Sequence, residues 1–127
     1  MHNYTQTPVR NRPSYLFLRR YTGEAIVLLA PRHSEVWIRV IEIDVDDPGV
    51  ILDITGLSQP LRLDLFESRQ ILQGTVELKL QALQESESDR GDKVYASIGV
   101  STDRSTRILR DELLAGLSRT ERAALVR

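Results

Sequence analysis

The side chains that could carry chemistry in this sequence are mostly arginines. The chain has 15 Arg and only two Lys, Lys79 and Lys93. A guanidinium group makes bidentate contacts with phosphate and stacks on bases, which an ammonium group does not. The bias points to recognition of phosphate groups or nucleic acid, although a GC-rich genome would give the same excess of Arg codons. Since the formal net charge is −1, any such site has to be a local cluster.

Residues for metal, thiol or nucleotide chemistry are scarce. The chain contains no cysteine, its only histidines are His2 and His33, and it has no glycine-rich phosphate-binding motif. We therefore expect no disulfide, metal site or cofactor, and we expect the protein not to be an enzyme. A carboxylate-only active site is the remaining catalytic alternative. The acidic residues 44, 46 and 47 precede Pro48-Gly49 and are typical of a turn rather than of a calcium loop.

The length of 127 residues fits one compact domain or two small fused halves. Residues 1–13 contain Pro8 and Pro13 and have no apolar periodicity, so they are predicted to be a flexible tail. This segment also lacks the apolar stretch of a signal peptide, and no later run is long enough to cross a bilayer. We therefore expect a cytoplasmic protein.

The elements that must position the arginines are predicted to be short strands. Alternating or β-branched runs, separated by turn signals such as Gly23 and residues 46–49, predict strands at residues 15–20, 25–29, 36–45, 50–54, 60–65, 76–82 and 94–100. This pattern predicts an all-β-dominated fold, a small antiparallel β-sandwich or barrel. Helix is expected only at the C-terminus, apart from a helical turn near residues 66–70.

The C-terminal helix is predicted from two features. Leucines at positions 109, 113, 114 and 117 have helical spacing, and Ser118 and Glu121 form a capping box for a helix in residues 118–127.

Two segments resemble the carbon storage regulator family of small bacterial translational regulators. Residues 16–24, LFLRRYTGE, resemble the first strand and the Gly-Glu corner of that family, which reads roughly LxLxRxxGE. We expect Gly23 and Glu24 to be structural, because glycine relieves a tight turn and the carboxylate can accept backbone hydrogen bonds there. Residues 98–100, IGV, and 108–113, ILRDEL, resemble its later hairpin strand and its terminal VHREE segment. The two matches are too far apart for one family domain. We therefore predict two regulator-like halves in tandem, at residues 14–67 and 68–117.

The halves differ in what they retain. The first keeps the initial strand but has Leu63-Asp64 where the family has His-Arg, while the second keeps Arg110 but lacks the initial strand. Family members resemble interlocked homodimers in which the first strand of one subunit and the last strand of the other form each RNA site. The resemblance implies that the tandem chain forms one composite site inside a single molecule.

The residues implied for this RNA-binding site are Leu18, Arg20, Arg104, Arg107 and Arg110. Leu18 and Arg20 share a face of the first strand because they are two residues apart. The implied ligand is a GGA-containing single-stranded loop in an mRNA leader or small RNA, bound so that ribosome access is blocked, and the implied role is that of a repressor. Each residue also has a structural alternative: Leu18 as a core residue, Arg20 as a solvated strand residue, and Arg110 as a partner of Asp111 or Glu112.

An alternative function belongs to another class. The protein can be an interaction module that no longer binds RNA and pairs with a full-length family member. Asp64 near the degraded site would repel phosphate, and an exposed Leu57 or Trp37 would suit a protein surface. A homodimer that exchanges strands between two chains is a further possibility.

Overall fold

The computed structural model describes residues 14–30, 35–86 and 93–124, and its architecture is all-β, as predicted from the sequence. The predicted flexible tail, 1–13, and residues 125–127 of the predicted helix lie outside the described residues. The strands within the described part of the chain are β1 (Leu16–Arg20), β2 (Ala25–Leu29), β3 (Val36–Asp44), β4 (Gly49–Ile54), β5 (Leu61–Asp64), β6 (Ser68–Ile71), β7 (Val76–Ser86), β8 (Lys93–Ser101) and β9 (Arg107–Arg110).

The strands form two antiparallel sheets whose inner faces share one core. One sheet has the order β1-β8-β7-β6 and the other the order β5-β4-β3-β2-β9. The predicted turn at residues 46–49 joins β3 and β4 in a hairpin, and β7 pairs with β8 in the same antiparallel way. Fully buried side chains from both sheets belong to one cluster, including Ile26, Ile38, Leu52, Leu63, Leu78, Leu80 and Ile98. Each such side chain stabilises the fold by about 1.5–3 kcal/mol relative to exposure.

The chain exchanges one strand in each direction between the two sheets. β1 leaves the sheet of its sequence neighbours and pairs with β8, so that Leu18 lies opposite Ile98. β9 makes the reverse crossing and pairs with β2, so that Arg110 lies opposite Ile26. The predicted boundary between residues 67 and 68 falls in the connection from β5 to β6. The division into two regulator-like halves stays a prediction, but the strand exchange ties the two segments into one structural unit.

The Gly-Glu corner between β1 and β2 has the geometry expected of it. Gly23 has a φ of 93°, a conformation that disfavours residues with a Cβ atom. Its amide donates to Val40 O at 2.7 Å. The Glu24 carboxylate accepts the Tyr21 amide at 2.9 Å, which confirms the structural role predicted for this pair. The corner thereby fixes the end of β1 against the start of β2.

The helical turn predicted near residues 66–70 is wrong. Phe66 has a φ of 69°, outside the helical region, and β6 begins at Ser68. This strand was missed because its four residues include only one apolar side chain, Ile71. It forms because its backbone pairs with β7 at the edge of the sheet, which its own sequence does not reveal.

The leucines with helical spacing do not form one helix. Leu109 lies in β9 opposite Val27, Asp111–Leu114 is a single 3₁₀ helix, and Gly116 turns the chain with a φ of 84°. Pairing with β2 outweighs the local periodicity at Leu109. Beyond it, Leu114, which is 1% exposed, covers Val27 and Leu29 on the outer face of the five-stranded sheet.

The predicted capping box is confirmed. The Ser118 amide donates to the Glu121 carboxylate at 3.0 Å, and the Glu121 amide donates to Ser118 Oγ at 3.1 Å. Both bonds satisfy amides at a helix start. The short helix α1 (Arg119–Ala124) follows.

Candidate nucleic-acid interface

Arg20, the predicted RNA-contacting residue at the end of β1, is buried, with 3% of its surface exposed. Its Nη1 donates to Glu112 at 2.8 Å and to Asp111 at 3.0 Å, while its Nη2 donates to the second Glu112 oxygen at 3.2 Å. Nε donates to the carbonyl of Arg19 and Nη1 also donates to that of Ala25. A buried guanidinium needs such partners because an unpaired buried charge is very costly.

The ion pair between Arg20 and Glu112 shifts the pKa values of both residues. Burial lowers the pKa of Arg20, but the hydrogen bond to Glu112 and the nearby carboxylates of Glu24 and Asp111 raise it above its ordinary value overall. The hydrogen bond from Arg20 lowers the pKa of Glu112 to about 2. Both groups are therefore charged at neutral pH, and the pair connects the end of β1 to the residues that follow β9.

Leu18 is also buried, at 8% exposed, and belongs to the core cluster. The composite site implied by the resemblance needs Leu18 and Arg20 to be exposed beside Arg110. Because Leu18 and Arg20 are both buried, they cannot contact RNA there. The physical reason is that the inward-facing side chains of β1 pack at the end of the core, where Arg20 contacts Asp111 and Glu112. As a correction, Leu18 is a core residue and Arg20 a buried link between β1 and the segment after β9.

The remaining predicted residues, Arg104, Arg107 and Arg110, are exposed and lie together on β9 and the turn before it. Within the described residues, β9 is an edge strand of the five-stranded sheet, so one side of its backbone is not paired with another strand. Arg110 lies opposite the core residue Ile26, on the core-facing side at the end of β9, whereas Arg107 lies opposite Leu29 on the outer side. Within the described ranges, neither Arg104 nor Arg110 has a carboxylate within salt-bridge distance.

The turn that presents Arg104 is fixed by Asp103. The Asp103 carboxylate accepts the backbone amides of Ser105 at 3.0 Å and Thr106 at 3.1 Å, and it also accepts both hydroxyl groups. The side-chain hydrogen bonds from Ser105 and Thr106 lower the pKa of Asp103. Arg104 therefore projects from a turn with a defined backbone rather than from a mobile loop.

The strand at the other end of the same sheet, β5, has a different electrostatic environment. Arg62 Nε donates to Asp64 at 2.7 Å, and its terminal nitrogens lie 3.5 Å from carboxylate oxygens of both Asp44 and Asp47. The neighbouring Leu63 is fully buried. On the β5 edge, the three aspartates neutralise Arg62 and leave an excess of negative charge, which disfavours the binding of phosphate groups.

The structure adds two residues that the sequence analysis did not place in the site, Asp111 and Glu112. They were considered only as partners of Arg110. The sequence does not reveal this role, because adjacent carboxylates at a protein surface can also be satisfied by water. Their actual partner, Arg20, is 91 and 92 positions away in sequence, and only the strand exchange brings it close.

Other kinds of site have little support in the described ranges. No group of three or more His, Asp or Glu side chains there could hold a metal ion. The most evident clefts are shallow, with volumes of about 260 and 280 Å³, and they lie at the open end of the sandwich near Val94. Among residues 14–30, 35–86 and 93–124, no helix is long and apolar enough to cross a membrane.

Comparison with known proteins adds no relative. No family model, no curated protein and no solved structure matches the chain.

Proposed function

We propose that this protein is a cytoplasmic RNA-binding regulator of translation, similar in role to the carbon storage regulators, which recognises single-stranded GGA-containing loops in mRNA leaders or small RNAs. The observation that carries the proposal is the exposed edge formed by β9 and the turn before it, with Arg104, Arg107 and Arg110. Specific RNA recognition is mostly of unstacked loop bases, held by arginine and read by polar and backbone groups. An edge strand such as β9 carries arginine side chains and also backbone groups that can hydrogen-bond to bases.

The buried pair of Arg20 and Glu112 supports the proposal indirectly. Without it, the carboxylates of Asp111 and Glu112 would stand next to Arg110 and reduce its attraction for phosphate. With it, Arg20 neutralises part of their charge, and Arg110 remains without a carboxylate partner among the described residues. In this proposal Arg20 positions the end of β9, whereas Arg104, Arg107 and Arg110 contact the RNA.

The test is binding of a labelled RNA hairpin with GGA in its loop, compared with the same hairpin carrying a scrambled loop. We expect submicromolar, loop-dependent binding to the wild-type protein. The Arg110→Ala variant should bind more weakly by about 1–3 kcal/mol, because it loses one charge-assisted contact. The affinity should also fall with salt, since each neutralised phosphate releases counterions.

Arg69→Ala is the matched control. Arg69 is an exposed arginine on β6, an edge strand of the other sheet, and pairs with Glu67 at 2.9 Å. Its replacement removes the same charge at a distance from β9. Equal losses in the two variants would indicate a general charge effect, and binding without loop preference at low salt would contradict the proposal.

A second candidate function is the protein-interaction module that pairs with a family relative or with a second copy of the chain. It is favoured by exposed apolar side chains, since Leu113 is 60%, Leu16 48% and Leu57 39% exposed. Trp37, by contrast, is partly buried against Val27 and Leu114 and offers less surface. Absence of RNA binding, together with a stable complex measured by sedimentation, would favour this candidate.

A further inference from the structure

The outer face of the four-stranded sheet carries the chain's only two lysines and most of its tyrosines. Register places the side chains of Phe17, Arg19, Lys79, Lys93 and Tyr95 on this face, because their cross-strand partners share one side of the sheet. Tyr15 and Tyr21 flank β1 and contact members of the same group. We call this set of seven residues the aromatic face.

Each cation of the aromatic face lies over an aromatic ring. Arg19 is 5.1 Å from the ring centre of Tyr95, Lys79 is 5.9 Å from that of Tyr15, and Lys93 is 5.9 Å from that of Tyr21. Cation–π contacts hold these groups without cancelling their charge. Within the ranges that the structure describes, none of the three has a carboxylate within salt-bridge distance.

Phe17 is the most exposed ring of the face, with 43% of its surface accessible. It lies against the backbone of Gly99, where a Cβ atom would come within 2.5 Å of its Cε1. One side of the ring is therefore supported by β8, and no cation contact covers the other side within the described residues. Lys79 pairs with the same glycine from β7, so an aromatic ring and an ammonium group flank Gly99.

The floor between these groups is made of small side chains. Beyond Lys93 and Tyr95, the outward positions of β8 are occupied by Ser97, Gly99 and Ser101, whose small size leaves space beside the rings. Among the described residues, the acidic residue on this face is Glu77, whose carboxylate accepts a hydrogen bond from Tyr15. Within those same ranges, three cations against one carboxylate give the face a net positive charge, whereas the whole chain has a formal net charge of −1.

We infer that the aromatic face is a second RNA-contact surface, on which the single-stranded nucleotides flanking the recognised loop stack and are neutralised. The face combines one exposed ring, Phe17, and the partly exposed rings of Tyr15 and Tyr21 with three cations, while Tyr95 is only 7% exposed beneath Arg19. Such a surface suits single-stranded nucleic acid, because accessible rings stack on any base while cations follow the phosphates. β1 connects this surface to the proposed site, since its end contacts the residues after β9 through Arg20. The inference rests on the proposed RNA binding. It extends the RNA-contacting surface from the β9 edge to the outer face of the four-stranded sheet.

The experiment compares three RNAs: the GGA hairpin alone, the same hairpin with a single-stranded flank of eight uridines, and the octauridine alone. We expect the flank to increase the affinity of the wild-type protein by about tenfold, which corresponds to one or two stacked bases. Phe17→Ala should lose most of this gain and bind the bare hairpin as the wild type does. Leu16→Ala is the matched control, because Leu16 is equally exposed on the same strand but belongs to the alternating set that faces inward.

The lysines are tested separately through the salt dependence. The Lys79→Gln/Lys93→Gln variant should show a salt slope for the flanked RNA that is smaller by about 1.4, since each lost phosphate contact on a single strand contributes about 0.7. Its slope for the bare hairpin should not change. An unchanged slope for the flanked RNA would overturn the assignment of the lysines to phosphate.

The outcomes separate this inference from the proposed function. A wild-type protein that binds the hairpin but gains nothing from the flank contradicts the aromatic face and leaves the proposed function standing. Octauridine binding that depends on Phe17, without recognition of the GGA loop, supports the aromatic face and contradicts the proposed function. Equal losses in Phe17→Ala and Leu16→Ala, or self-association that Phe17→Ala abolishes without any effect on RNA, would overturn the inference.

Discussion

The two edge strands of the five-stranded sheet, β5 and β9, both carry arginine but present it in opposite ways. On β5, Arg62 lies among three aspartates, Asp44, Asp47 and Asp64. On β9, the nearby acidic residues are engaged by the buried Arg20, and Arg110 projects without a carboxylate partner in the described part of the chain. An arginine in an edge strand therefore suggests a phosphate site only when its local carboxylates have another cation to pair with.

The largest expected difference between the edges is in RNA affinity after charge reversal. Arg110→Glu should weaken binding of the GGA hairpin by at least about 100-fold, because it replaces a contact with a repulsion. Arg62→Glu should leave the affinity within about threefold, since β5 already carries surplus negative charge. Titration of the labelled hairpin checks both, and similar losses at the two edges would break the comparison.

The next largest effect concerns the buried cation that distinguishes the β9 edge. Arg20→Ala should lower the free energy of unfolding by about 2 kcal/mol, because the buried guanidinium and its hydrogen bonds are lost. Glu112 then loses its cation, and among the described residues Asp111 keeps only Arg39, at 3.9 Å. Urea denaturation measures this change. Arg69→Ala, which breaks a pair on the exposed β6 edge, should change stability by less than about 0.5 kcal/mol. An unchanged urea midpoint in Arg20→Ala would show that the pair does not hold β1 to the end of β9.

A smaller effect should appear in acid. The pKa of Glu112 is lowered from 4.5 to about 2, chiefly by the hydrogen bond from Arg20. The stabilisation by this pair is therefore fully present above about pH 4.5 and is lost as the pH falls from there towards 2. Urea midpoints at pH 7, 4 and 3 should fall more for the wild type than for Glu112→Gln. Parallel curves for the two proteins would contradict the assignment.

The smallest expected effect is a partial conversion of β5 into a β9-like edge. Asp47→Asn combined with Asp64→Asn removes two of the carboxylates around Arg62 while keeping similar side-chain shapes. We expect binding of unstructured single-stranded RNA at low salt to become about two- to threefold stronger, because a cation is unmasked and negative charge is removed. No gain, measured by competition against the wild type, would indicate that edge charge alone does not determine affinity.

Much of the fold could be predicted from local sequence. Alternation predicted β5 and the first part of β7, and Asp46 to Gly49 marked the turn between β3 and β4. The structure confirms the structural role of Gly23 and Glu24 at the corner after β1. These features depend on side-chain periodicity and turn chemistry within about ten residues, which the sequence displays directly.

The candidate site was predicted less completely because it depends on long-range pairing. Arg20 was expected at the surface because a strand arginine usually lies there, and its burial depends on carboxylates from the other end of the chain. Leu109 was assigned to a helical pattern because its strand partner, Val27, is distant in sequence. β6 was missed because an exposed edge strand has little apolar alternation to reveal it.

The exchange of strands between the two sheets affects when the protein can fold during its synthesis. Leu16 pairs with Val100, and Ile26 pairs with Arg110 as well as with Ile38 of the next strand. β1 and one side of β2 therefore have partners that are synthesised much later. Such distant pairings slow folding, because long loops must close before the contacts that stabilise them form. The pairing of β2 with β9, which presents the proposed RNA edge, can form only after residue 110 has been synthesised. Under the proposed function, a chain truncated before residue 107 should not bind the GGA hairpin, because it lacks β9.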